Sequence, residues 1–244
     1  MGELLPTRSS GVRRMGESLA GQVYEAIRNE IITCRLRPGQ QIAQPQLAEK
    51  HQTGTTPVRE ALQRLAQEGL VRPIPRFGYL VTEITLSDVT GMYELRSILE
   101  SAAARLAALR GPQEQLDNIL VLADTPHPFT NRESYSRFLA HNKHFHRSVA
   151  VATGNQKLVE AISRLFDEMT RFYHLRLDPS DSDEEMRAEH RTLAEALRGR
   201  DPDNAERIVL DQIARSQRRV RDALLSGGDD GIGPLGQMVR LGPS

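Results

Sequence analysis

Three of the seven histidines fall within six positions, His141, His144 and His146, in the segment HNKHFHRSVAVATGN. Imidazoles at such spacing suit a metal centre, a hydrogen-bonded core or a polar surface. On a helix, side chains three and four apart share a face. His141 and His144 therefore share one, away from His146, and are expected at the surface or a dimer contact. A second constellation lies in TGTTPVREALQRLAQEGL, where Thr55, Thr56, Arg59 and Gln63 crowd one helix end. Backbone N–H groups at a helix start favour phosphate, and an arginine there can grip guanine or phosphate. An ordinary surface pairing of Arg59 is the alternative. Nothing in the chain reads as catalytic. There is no Gly-rich phosphate loop, no activated Ser or Cys motif and no paired carboxylates, and the single cysteine, Cys34, ends an apolar helix as packing.

The elements that would carry these residues follow from apolar spacing. Leu19, Val23, Ile27 and Ile31 recur at fours and predict a first helix, stopped by Arg37-Pro38-Gly39. PQLAEKH is a short second helix. A third has Thr56 as N-cap, Pro57 at its first position, a buried stripe of Val58, Ala61, Leu62 and Leu65, and Gly69 at its end. Extended runs Leu70–Ile74 and Tyr79–Val81 flank a turn, so Arg76, Phe77 and Gly78 form a hairpin tip.

From residue 87 the pattern is helical throughout. Ser87 caps a helix to about Leu109, and Gly111-Pro112 separates it from one ending near Ala123. Further helices span about Asn131–Val151, then to about Leu177, then about Glu184–Arg198. Asp201 caps a last one running to about Leu225. The expected fold is mainly α: an N-terminal winged helix-turn-helix over 17–84 and a C-terminal six-helix antiparallel bundle over 86–225, with disordered tails at 1–16 and 226–244.

The 244 residues carry 32 Lys/Arg and 32 Asp/Glu, a formal net charge of zero. The balance is uneven: residues 1–85 hold 11 Lys/Arg against 8 Asp/Glu, a mildly basic front suited to a polyanion. One cysteine excludes a disulfide framework and fits a reducing compartment. No apolar run approaches the roughly 20 residues of a membrane span, and the N-terminus lacks a signal-peptide core. A soluble, cytoplasmic protein is expected.

The stretch GQQIAQPQLAEKHQTGTTPVREALQRLAQEGLVRPIPRFGYLV resembles the DNA-binding domain of GntR-family transcription regulators, most specifically in TPVREALQRLAQEGLV followed by a glycine-containing wing. YELRSILESAAARLAA, ATGN and EHRTLAEALRGRDPDNA resemble the FadR-type effector domain of that family, often called FCD, in its six-helix, VanR-like branch. The resemblance covers about residues 18–222. It implies double-stranded operator DNA as partner, read by Thr55, Thr56, Arg59, Gln63, Arg76 and Gly78. It also implies a homodimer and a small organic acid as effector. The family usually has Ser-Arg where this chain has Gly54-Thr55, which removes one arginine from the DNA-reading set. That loss corresponds to a weakening or altered base preference of about 1–3 kcal/mol.

For the rear domain the resemblance implies an effector cavity beside a divalent ion such as zinc or nickel. The ligands are an Asp and a His four apart on one helix and a His on each of two later helices. The matching positions are Asn142, His146, His190 and Gln212, so two of four depart from the pattern. Carboxamide oxygens are poor ligands for zinc or nickel, but they hydrogen-bond organic ligands directly. Three readings stay open: a weakened metal site on His146 and His190, a metal-free pocket using the same residues, or a closed core. Arg96 matches the family arginine that meets the effector carboxylate; an intrahelical pair with Glu100 is the alternative. The expected function is a ligand-responsive DNA-binding regulator that acts as a repressor, and not an enzyme. The rivals are a DNA-binding dimer with a dead pocket and a helical metalloenzyme.

Overall fold

The computed structural model describes residues 18–176 and 183–226. The tails expected at 1–16 and 226–244 lie outside these residues except for Ser226, as do Leu177 and most of the loop expected after it. The chain divides into two compact units, one holding residues up to Ile31 and Leu36–Thr82, the other Ile32–Arg35 and the residues from Glu83 onward.

In the first unit α1 (Leu19–Ile32) precedes the helix-turn-helix pair α2 (Gln44–Lys50) and α3 (Thr55–Gln67). Val58, Ala61, Leu62 and Leu65 of α3 are buried, and so are Val23, Ile27 and Ile31 of α1; Leu19, the first of that series, is exposed. Tyr24 of α1 ties the two helices together. Its hydroxyl donates to Glu68 at 2.7 Å, and the Arg64 guanidinium stacks on its ring at 3.6 Å. The N-cap of α3 is Gly54 rather than Thr56, so the helix starts with no side-chain cap bond. Gly69 follows it at φ +76°, the left-handed geometry that closes a helix.

Strands β2 (Val71–Ile74) and β3 (Gly78–Val81) form the expected hairpin, paired Val71↔Val81 through Ile74↔Gly78. A third strand, β1 (Gln41–Ile42), pairs antiparallel with β3, giving the order β1-β3-β2. The sequence reading did not contain it, because two residues carry no periodicity.

The second unit consists of α4 (Leu86–Arg110), α5 (Gln113–Asp124), α6 (Arg132–Ala152), α7 (Gln156–Arg176), α8 (Asp183–Arg198) and α9 (Pro202–Ser226). Helix α4 packs against α6, α7, α8 and α9. Its Ala103, Ala104, Ala107 and Ala108 are buried, and such small side chains let neighbouring helices approach closely. The cap of α4 is Thr85, not Ser87: Thr85 and Asp88 form a reciprocal capping box. Asn131 and Ser134 form another at the start of α6, and Asp201 accepts from the Asn204 amide at 3.1 Å to open α9. Mainly α, with a winged helix-turn-helix followed by six helices, is therefore the architecture.

Candidate functional site

In the first unit Thr55, Thr56, Arg59 and Gln63 all lie exposed along α3, opposite its buried stripe. Arg76 and Phe77 are exposed at the hairpin tip. That tip is braced: the Phe77 amide donates to the Ile74 carbonyl at 3.1 Å, and the Gln41 side chain donates to the Phe77 carbonyl at 2.8 Å. Gly78 has a steric reason for its type. Its φ is +94°, and a Cβ there would stand 2.4 Å from the Ile42 carbonyl oxygen. Backbone N–H groups, a guanidinium and hydroxyls at the start of α3 form an anion-receptive surface of a helix's width, matched to a DNA major groove.

In the second unit Arg96 from α4, Asn142 and His146 from α6, His190 from α8 and Gln212 from α9 line one cavity of about 70 Å³. That volume holds more than one water-sized group. Four helices must pack before these five side chains meet.

A residue that sequence reasoning named only as an intrahelical partner organises the floor. Glu100, one turn after Arg96 on α4, is 4 % exposed and forms a buried ion pair with the Arg96 Nε. Its other oxygen lies 2.5 Å from Nδ1 of His146. Burial pushes the Glu100 carboxyl up, but Arg96 and then His146 outweigh it and hold it at about 2. The Arg96–Glu100 pair and the cavity-lining position of Arg96 thus coexist. With Nδ1 of His146 engaged, Nε2 is the ring nitrogen left for a ligand.

His190 stacks on Phe145 with ring centroids 3.8 Å apart and meets the His146 ring edge-on at 5.1 Å. Its Nδ1 is buried with no hydrogen-bond partner among the described residues. Burial first, then His146, pushes its pKa well below the usual imidazole range, so it is neutral. Gln212 donates to the Glu189 backbone carbonyl at 2.6 Å, which orients its amide.

The cavity also takes residues absent from the sequence reading: Tyr173, Glu185, Glu189, Ser216 and Arg219. The Ser216 Oγ lies 2.9 Å from the Tyr93 hydroxyl, itself 3.1 Å from that of Tyr173. Ser216 stands one turn after Gln212, and Glu189 immediately precedes His190, the one local signal that could have drawn attention to them.

The donor set falls short of what a zinc or nickel ion takes. It offers two imidazoles and two carboxamides, with neither the carboxylate nor the third imidazole of the family pattern among them. Among the described residues no group of three or more His, Cys, Asp or Glu side chains is placed to hold a metal ion. His141 departs from its expected surface position. It is buried, stacks on His127 with centroids 3.8 Å apart, and its Nε2 lies 3.0 Å from the Leu122 carbonyl oxygen; His144 is exposed.

Two family matches divide the chain along these sites. Residues 19–81 match "Bacterial regulatory proteins, gntR family", and residues 91–215, just over half the chain, match "FCD domain". The chain belongs to the GntR family of bacterial regulatory proteins. It is 31% identical over 207 residues to the "Probable D-xylose utilization operon transcriptional repressor" of Paenarthrobacter nicotinovorans, covering 81% of this chain and 86% of that protein. It is 26% identical over 203 residues to "HTH-type transcriptional repressor RspR" of Escherichia coli (strain K12), covering 82% and 89%. The solved structure of E. coli McbR/YncC superposes with a TM-score of 0.70 at 20% identity, over 86% of this chain and 98% of that one, a likeness of fold.

As a GntR-family regulator with an FCD domain the chain is a DNA-binding transcription regulator and not an enzyme, which removes the metalloenzyme rival. Among the described residues no helix is long and apolar enough to cross a membrane.

Proposed function

We propose that this regulator is a cytoplasmic repressor that binds palindromic operator DNA as a homodimer and responds to a small carboxylate held in its FCD cavity. Residues 17–84 read the DNA, with Thr55, Thr56, Arg59 and Gln63 entering the major groove and Arg76 and Gly78 of the wing meeting the backbone or minor groove. Residues 86–225 bind effector and pair the subunits. The six-helix rear unit supports placing the chain in the FadR-type, VanR-like branch, and its similarity to transcriptional repressors supports repression.

One observation carries the effector reading. Arg96, Asn142, His146, His190 and Gln212, spread over 117 positions of sequence, converge on one cavity. Arg96 supplies the fork for a carboxylate. In this reading the ligand is held without a transition metal, because the amides of Asn142 and Gln212 serve it directly.

The effector must bind one placement of the DNA-reading units better than another, since equal affinity shifts nothing. A coupling of about 1–3 kcal/mol changes operator affinity by roughly 5- to 150-fold. Thermal-shift screening against organic acids, with and without metal, tests the cavity. Stabilisation by an acid that also changes operator affinity in a mobility-shift titration is the expected result. No response to any acid would favour a dimer with a dead pocket.

A further inference from the structure

Each arginine lining the cavity already meets a carboxylate. Arg96 and His146 both meet the buried Glu100. Arg219 lies 3.7 Å from Glu189 and 3.9 Å from Glu185, and Glu189 also pairs with Arg215 at 2.9 Å. The neutral His190 adds no charge. The rest of the polar lining, Asn142, Tyr173, Gln212 and Ser216, is uncharged hydrogen-bonding surface.

We propose that Glu100 sets the ligand class of this cavity: it positions Arg96 for a single ligand carboxylate and His146 for a ligand hydroxyl, and restricts the effector to one anionic group on a hydroxyl-bearing chain. The inference rests on the carboxylate reading above and deepens it. A guanidinium has a planar fork of five N–H donors, so Glu100 can hold its Nε while a ligand takes another edge. The shared carboxylate also takes Nδ1–H of His146 and fixes the tilt of its ring, leaving Nε2 to accept from a ligand hydroxyl.

Charge then limits what else the ligand carries. Glu100 offsets the positive charge of Arg96, so one ligand carboxylate already exceeds what the floor provides. A second carboxylate would meet Glu189, whose side chain is 18% exposed, and the more open Glu185 on the α8 wall, where like charges repel. Discrimination of this kind comes from a repulsive element as much as an attractive one. Hydroxyl groups instead match the amides of Asn142 and Gln212 and the hydroxyls of Tyr173 and Ser216.

Matched series test this by isothermal titration calorimetry on the full-length protein. Glycerol, glycerate and tartronate carry none, one and two carboxylates on three carbons; threitol, threonate and tartrate do so on four; sorbitol, gluconate and glucarate on six. The expected result is that a monoacid binds in at least one series and that its diacid and polyol bind at least about tenfold more weakly. Glu100→Gln should narrow the monoacid-to-diacid ratio by roughly tenfold or reverse it. Glu185→Gln, at a side chain 59% exposed, should narrow it in the same direction through the α8 wall, and Glu100→Asp, which keeps the charge but draws the carboxylate back from Arg96 and His146, tests the positioning role if Glu100→Gln does not fold. A purely structural role for Glu100 would weaken both acids alike and leave the ratio unmoved. Equal binding of monoacid and diacid by the unaltered protein, or a ratio unchanged in the folded variants, overturns the assignment. Polyols binding as well as acids, or no acid binding in any series, would strike the carboxylate reading itself and Glu100 with it.

Discussion

Nδ1 of His146 and Oε2 of Glu100 stand 2.5 Å apart inside the bundle, with Arg96 on the other oxygen of the same carboxylate. One acidic side chain on α4 thus couples a residue of its own helix to one on α6. Loss of either partner has consequences beyond the contact itself.

Arg96→Met strands the Glu100 carboxylate in a buried site. Removing one partner of a buried pair costs about 3–5 kcal/mol, whereas replacing both with neutral groups costs much less. Urea denaturation of Arg96→Met, Glu100→Gln and the double variant should show the double less destabilised than the sum of the singles. Additive effects would mean that the two residues do not act as a pair.

DNA binding should depend on the exposed edge of α3. Arg59→Ala is expected to weaken operator affinity by about 1–3 kcal/mol and to lower the slope of log affinity against log salt by about one. Thr55→Arg, which restores an arginine next to the Gly54 cap, should strengthen binding and steepen that slope. Mobility-shift titrations at several salt concentrations check both, and an unchanged affinity for Arg59→Ala would remove it from the reading face.

The wing offers a steric test. Gly78→Ala forces a Cβ to within 2.4 Å of the Ile42 carbonyl oxygen at φ +94°. The β1–β3 pairing must shift, at a cost of about 1–3 kcal/mol. Denaturation midpoints should fall, and operator affinity with them, because the Arg76-Phe77 tip is held by that backbone. Gly69→Ala, also at positive φ but with nothing within 4 Å, should cost less.

Acid stability should follow His174. Its ring is 2% exposed, its Nδ1 has no hydrogen-bond partner, and burial followed by the nearby Arg132 lowers its pKa to about 4. The unfolded chain takes up this proton near 6.5 while the folded chain refuses it until about 4. Neutral His174 therefore contributes stability in full above about 6.5, and that contribution drains away as pH falls through the interval to about 4. Thermal midpoints of His174→Leu should decline less across that interval than those of the unaltered protein.

Metal should add little. Zinc or nickel at a modest excess is expected to leave the melting temperature unchanged in the absence of an acid, and elemental analysis should find far less than one ion per chain. Retention of one ion per chain, lost on His146→Ala, would restore the metal reading of this cavity.

What could be read along the chain was what local physics controls. The buried stripe Val58, Ala61, Leu62 and Leu65 is one helix's own periodicity, and the glycine after α3 is a local backbone requirement. Caps were less secure. Thr56 and Ser87 have the right chemistry, but the helices begin at the cap residues Gly54 and Thr85, because a start is set by where the preceding chain turns in. The two-residue β1 could not be seen at all, since its partner lies 37 to 39 residues further on. His141 shows the limit most plainly. Spacing set it apart from His146 but could not tell an exposed face from one covered by His127. The same holds for the cavity. The sequence by itself placed Arg96, Asn142, His146, His190 and Gln212 on four helices, with Asn142 and His146 on one face of the same helix. Only the packing of α4, α6, α8 and α9 brought them around one space, gave Glu100 two partners and left the His190 Nδ1 without one, because burial and charge compensation belong to the assembled neighbours and not to any single helix.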